Sequence, residues 1–199
     1  MDAVRVALLR EVLAGTEWLG ATRRFAGALR GSVVTHGGGL LLLGTPEYEP
    51  WHLAAHLMDE AAWSGTPELA PTLVRHDARP TDPAHLAVGP GRIETARRGE
   101  TLLVVAPGDS QALLERVHTA RRAGVTILTL STTADDALTT MAHETLTVAE
   151  GAELDLDTVQ HLVSAATGEN GPSPRGGRRF RDRLARLAET VTAPPPTPW

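Results

Sequence analysis

Between Thr101 and Leu130 the chain carries its strongest structural constraint. An apolar run, Thr101 to Ala106, is followed by a helical pattern over Ser110 to Ala123 and a second apolar run, Val125 to Leu130, with Gly108 and Gly124 at the joints. Continuous apolar strands are those buried on both faces, and two of them joined by one helix in about thirty residues make a right-handed parallel crossover. A chain built around this unit must cover both faces of a sheet.

The flanking segments repeat the alternation. Leu40 to Leu43, after three consecutive glycines and before Gly44, reads as a buried strand. From Glu49 through Trp63, Leu53, Leu57 and Ala61 recur every four residues, with Pro50 where a first helical turn tolerates it. Leu69 to His76 reads as a short strand, and 77–90 as a Pro- and Asp-rich loop leading to a short helix near Arg92 to Arg98. A helix over Asp135 to Ala142, a strand over Thr145 to Ala149 and a helix from Leu154 to Thr167 complete the series. The expected fold is α/β, a doubly wound five-stranded parallel sheet flanked by helices.

The ends differ. Val4, Leu8 and Val12, then Trp18, Thr22, Phe25 and Leu29, predict N-terminal helices over 1–30, ahead of an α/β domain over 31–170. Residues 171–177 hold three Gly, two Pro and a Ser and read as a linker. Over 178–190, Phe180, Leu184 and Leu187 share one helix face while Arg178, Arg181, Arg183 and Arg186 share the other, and 191–199 is a Pro-rich tail.

Composition narrows the function classes. With no cysteine, thiolate metal sites, disulfides and cysteine nucleophiles are excluded. No apolar run approaches the roughly 18 residues of a membrane span and no secretory pattern opens the chain, so the expectation is a cytoplasmic protein with no membrane partner. A net charge of -5 opposes nucleic acid as a partner of the whole surface. The Arg178 to Arg186 cluster is local and reads as a solvated rim.

In order and spacing these pieces resemble the sugar isomerase (SIS) family, within it the branch of phosphoheptose isomerases and replication-initiator-associating proteins. The stretch GGGLLLLGTPEYEPWHLAAHL is similar to that branch's first strand, phosphate loop and H-x-A-x-E-L helix, and LLVVAPGDSQALLERVHTARRAGVTILTL to its second signature. The resemblance covers roughly residues 15 to 168. It implies a sugar or sugar-phosphate-derived ligand held by Gly44, Thr45, Gly108, Asp109 and Ser110, and a homodimer or homotetramer.

The signature residues depart from the family pattern. Val105, Ala106 and Pro107 stand where Ser, Thr and Ser are usual, Asp109 replaces Asn, and Pro46 falls where the first turn has serine, with Glu47 and Glu49 close behind. Phosphate sites need donors at helix starts and an absence of carboxylates. The exchange predicts a weakened phosphate grip and a protein in which catalysis has degenerated, an active aldose–ketose isomerase and a non-enzymatic scaffold being the alternatives. Asp109 or Ser110 also reads as a plain helix cap.

Histidines supply the remaining chemistry. His52 and His56, four apart, share a helix face, a spacing that suits a divalent metal. The resemblance places His56 at the family's catalytic glutamate and His161, in a Val159-x-His161 pattern, at its catalytic histidine. His56 and His161 are thus the expected acid–base pair, and His52, His56 and His161, with Glu153 or Gln160 near, a candidate zinc site. No other cofactor is expected. Trp51 reads as interface or core in preference to a ligand-stacking ring.

Overall fold

A computed structural model of the chain describes residues 16–108, 111–133, 137–149, 151–152 and 154–168. The chain divides into two compact units, residues 22–168 and the two ends 1–21 and 169–199. Of the second unit only 16–21 are described, and Glu17 opens helix α1 there. The linker, the 178–190 helix and the tail expected near the C-terminus lie outside the described residues.

Unit 22–168 is built on five parallel strands: β1 (Leu40–Leu43), β2 (Pro71–Val74), β3 (Thr101–Ala106), β4 (Thr126–Ser131) and β5 (Glu144–Thr147). Their order across the sheet is β2-β1-β3-β4-β5, every neighbouring pair parallel. The helices are α1 (Glu17–His36), α2 (Trp51–Ser64), α3 (Gly91–Glu94), α4 (Leu114–Arg122), α5 (Ala137–Met141) and α6 (Leu156–Thr167). The expected doubly wound α/β fold is present.

The central strands are apolar because both of their faces are covered. Every residue of β1 and β3 is buried. Leu41, Leu43, Leu102, Val104, Ala106 and Ile127 join Ile93, Leu113, Val117, Ala120 and Leu138 of the crossover segments in one core layer. Side-chain alternation turns Leu40, Leu42, Leu103 and Val105 to the opposite face, where buried Phe25, Leu29, Leu53, Leu57, Val159 and Val163 of α1, α2 and α6 complete a second layer. Each fully buried leucine or phenylalanine contributes about 1.5–3 kcal/mol.

Several boundaries differ from expectation, for local reasons. Helix α1 runs twenty residues, through Gly27, Gly31 and the expected boundary at residue 30, and stops at His36 before Gly37, whose φ is 63°. Its buried stripe Thr22, Phe25, Ala26, Leu29, Ser32 and Val33 outweighs the two glycines. The helix expected over Ser110 to Ala123 starts as a 3-10 turn, Gln111–Leu113. The one expected near Arg92 is a single turn, closed beneath by Glu100, which accepts from the Arg97 backbone at 2.6 Å and pairs with the Arg92 guanidinium.

Candidate functional site

Strand order reverses between β1 and β3: the chain leaves β1 toward β2 on one side and later returns to β3 on the other. In open α/β sheets the crevice at such a point, beyond the carboxyl ends of the strands, is where ligands bind. Here it is a cleft of about 460 Å³ lined by Thr45, Pro46, Glu47 and Tyr48 after β1 and by Pro107, Gly108 and Ala112 after β3. Of the expected ligand-binding residues, Thr45 and Gly108 border this cleft, with Gly44 directly behind Thr45. Asp109 and Ser110 lie outside the described residues.

The first wall is a tight turn. The Tyr48 amide donates to the Thr45 carbonyl at 3.1 Å, the two residues form an antiparallel bridge, and Pro46 occupies the position where a fixed φ favours such a turn. Gly44 makes the turn possible by close approach, since a Cβ there would sit 1.8 Å from the Tyr48 carbonyl oxygen. By resemblance Pro46 stands for a lost serine; the Thr45-Pro46-Glu47-Tyr48 run is itself the signal of this turn.

Charge at the cleft also departs from expectation. Glu47 is exposed on the wall, but Glu49 is turned to Arg75, whose Nε lies 3.1 Å from its carboxylate. Arg75 also pairs with Asp82 at 2.8 Å, donates to the Leu86 carbonyl at 3.2 Å, and lies 4.9 Å from the Trp51 ring centroid. Glu49 is thus neutralised where repulsion of an anion was expected. Trp51 stacks on this cation while remaining 41% exposed. Arg75 is engaged as well, and none of the described residues lining the cleft is basic.

Helices α2 and α6 bring the three histidines together. The His56 and His161 rings meet edge to face, centroids 4.5 Å apart at 66°, and His52, more exposed, lies 6.5 and 6.2 Å from them. Burial lowers the pKa of His56, assisted by His52 and opposed by Asp59. Burial likewise lowers that of His161, with His56 and His52 adding to the effect and Asp157 opposing it. Both imidazoles are therefore neutral at pH 7, able to take and return a proton. Among the described residues no group of three or more His, Cys, Asp or Glu is arranged to hold a metal ion. The expected zinc set of His52, His56 and His161 is gathered as packed rings, and Glu153 lies outside the described residues.

Neither histidine lines the cleft; Tyr48 connects the two. Its hydroxyl donates to Asp157 Oδ1 at 3.1 Å and accepts from Gln160 Nε2 at 2.9 Å, and Gln160 donates to the same Asp157 oxygen at 3.1 Å. Burial raises the Tyr48 pKa, with the Asp157 charge adding to it against the Gln160 hydrogen bond, so the phenol stays protonated. Asp155 caps α6 through Thr158 N at 2.7 Å. The sequence held no signal for the Tyr48 link, which spans more than a hundred residues.

No family model matches the chain and no curated protein does. Among solved structures, an assigned phosphosugar isomerase from Silicibacter pomeroyi is similar at 18% identity and a TM-score of 0.52, over 94% of this chain and 52% of the other. An assigned phosphosugar isomerase from Salmonella typhimurium is similar at 10% identity and a TM-score of 0.53, over 88% of this chain and 51% of the other. The NanR protein of Vibrio vulnificus, solved in complex with ManNAc-6P, is similar at 14% identity and a TM-score of 0.52, over 95% of this chain and 72% of the other. The chain spans about half the length of the first two. These likenesses show the fold, a five-stranded parallel α/β sheet of the SIS type.

Proposed function

We infer that the protein binds a sugar or sugar-phosphate-derived ligand in the cleft between the β1 and β3 turns, without efficient turnover. The observation that carries this is the cleft itself, at the point of strand-order reversal. The fold supports it, because a solved structure of the same architecture holds ManNAc-6P. Catalytic decline rests on the wall: Pro46, Pro107 and Ala112 offer no side-chain donor and Glu47 adds an anion. Among the described lining residues a phosphate has backbone N–H groups and the Thr45 hydroxyl to rely on, so binding rests more on the sugar than in a hydroxyl-rich pocket.

Thermal-shift measurements with N-acetylmannosamine 6-phosphate, hexose and heptose phosphates and the parent sugars test this reading. A ligand at a hundred times its dissociation constant adds about 2.7 kcal/mol, which raises Tm by roughly 5–11 °C in a chain of this size. Absence of any shift across both panels would sink it.

The second reading, a phosphosugar isomerase, is favoured by the His56–His161 pair, two neutral imidazoles in contact. One would take the proton of a hydroxyl-bearing carbon and the other serve the carbonyl oxygen. Aldose–ketose interconversion lost in His161→Asn but kept in His52→Ala supports it, and no turnover in the wild type removes it. The expected homo-oligomer fits the exposed Trp51, Met58 and Trp63 of α2; light scattering tests it.

A further inference from the structure

We propose that Tyr48 is a positioning residue that couples the sugar cleft to the histidine pair. Its ring belongs to the cleft wall, its hydroxyl holds the first turn of α6, and the residue after Gln160 in that helix is His161. The proposal rests on the reading of the cleft as a sugar site and adds that it is joined to the histidine pair.

Three features make the link stiff enough to transmit position. Behind Tyr48, the Thr45–Tyr48 turn is closed by a backbone hydrogen bond and braced against Gly44. Ahead of it, Gln160 is 3% exposed, and its amide reaches the phenol at 2.9 Å, Asp157 at 3.1 Å and, less closely, the Leu156 carbonyl of its own helix at 3.4 Å. A buried amide left without them costs far more than an exposed one. To the side, the Tyr48–Gln160–Asp157 contacts form a closed triangle, in which one member cannot move without breaking two bonds. A ligand that displaces the Tyr48 ring therefore pulls on α6, and the His161 ring moves relative to His56 on α2.

The test uses the full-length protein in four forms: wild type, Tyr48→Phe, Gln160→Leu and the double variant. At pH 7.5 the rings of His56 and His161 are close enough in the wild type to give a ring-to-ring nuclear Overhauser effect. We expect that signal to fall by at least half in Tyr48→Phe and no further in the double variant. Val33→Ala, a distant core truncation, lowers stability but should leave the signal intact, which separates positioning from general destabilisation. With N-acetylmannosamine 6-phosphate as probe, Tyr48→Phe should weaken binding about threefold to tenfold, the size of one net hydrogen bond. An undiminished ring-to-ring signal in Tyr48→Phe overturns the proposal. If the wild type binds no sugar while the signal still depends on Tyr48, the sugar reading fails and the coupling stands.

Discussion

Replacing Gly44 by alanine isolates the feature on which the cleft wall depends. The added Cβ would lie 1.8 Å from the Tyr48 carbonyl oxygen, 2.9 Å from its carbonyl carbon and 2.8 Å from Pro50 Cδ. Ordinary heavy-atom contacts begin near 3.5 Å, so the turn must retreat by roughly 1.5 Å. The neighbours are backbone and a proline ring, none of which swings aside as a flexible side chain would. Overpacking of this kind costs about 3 kcal/mol or more, a fall in Tm of roughly 6–12 °C for a domain of this size. Gly27→Ala is the control: its Cβ meets nothing within 4 Å on an exposed position of α1, and removal of a mid-helix glycine stabilises by about 0.5–1 kcal/mol. Differential scanning calorimetry of both variants decides the matter. A Gly44→Ala protein melting within a degree of wild type would refute the close-packed turn, and with it the wall of the cleft.

Lowering the pH should destabilise the fold through the imidazoles. Because the folded-state pKa values of His56 and His161 lie below the ordinary imidazole value, the unfolded chain binds more protons below about pH 6.5 and stability falls with pH. Urea midpoints at pH 7.5 and 5.5 measure the slope, which should shrink in His161→Leu; an unchanged slope contradicts the assignment. Asp155→Ala removes the cap on Thr158 and should cost about 1 kcal/mol, or roughly 2–4 °C in Tm, with a null result showing that α6 does not depend on its cap. Arg75→Gln strips Glu49 and Asp82 of their partner and frees the Leu86 carbonyl. Limited proteolysis should then cut within 77–90 faster than in wild type, and equal rates would show that the loop is held by other contacts.

The layout of the sheet was legible because buried strands are written in an alphabet of few letters. Leu40–Leu43 and Thr101–Ala106 match their expected bounds, and Trp51–Ser64 lies within two residues of its own. Parts of the site were legible too: Thr45 and Gly108 border the cleft, and His56 meets His161 although more than a hundred residues separate them. What escaped was decided by side chains choosing among distant partners. Glu49 read as a charge beside the cleft, yet pairs with Arg75 on the next strand's exit. Tyr48 carries no pattern that marks it in the sequence, yet its hydroxyl reaches α6. Hydrogen-bond partners depend on three-dimensional proximity, for which local spacing carries no record.

Strand β1 consists of four leucines, so sliding it by one position would still leave a leucine at three of its four places. Alternation, which normally forbids such slips, is silent here. Its alignment has to be imposed from outside, and the molecule does so at both ends. Gly38 lies against the backbone of Gly99, where a Cβ would come within 2.3 Å of the carbonyl oxygen, and Gly44 lies against Tyr48. Two glycines thus serve as end stops for an otherwise unmarked ruler, and a fifth leucine inserted between them would displace the cleft wall without changing the composition of the core.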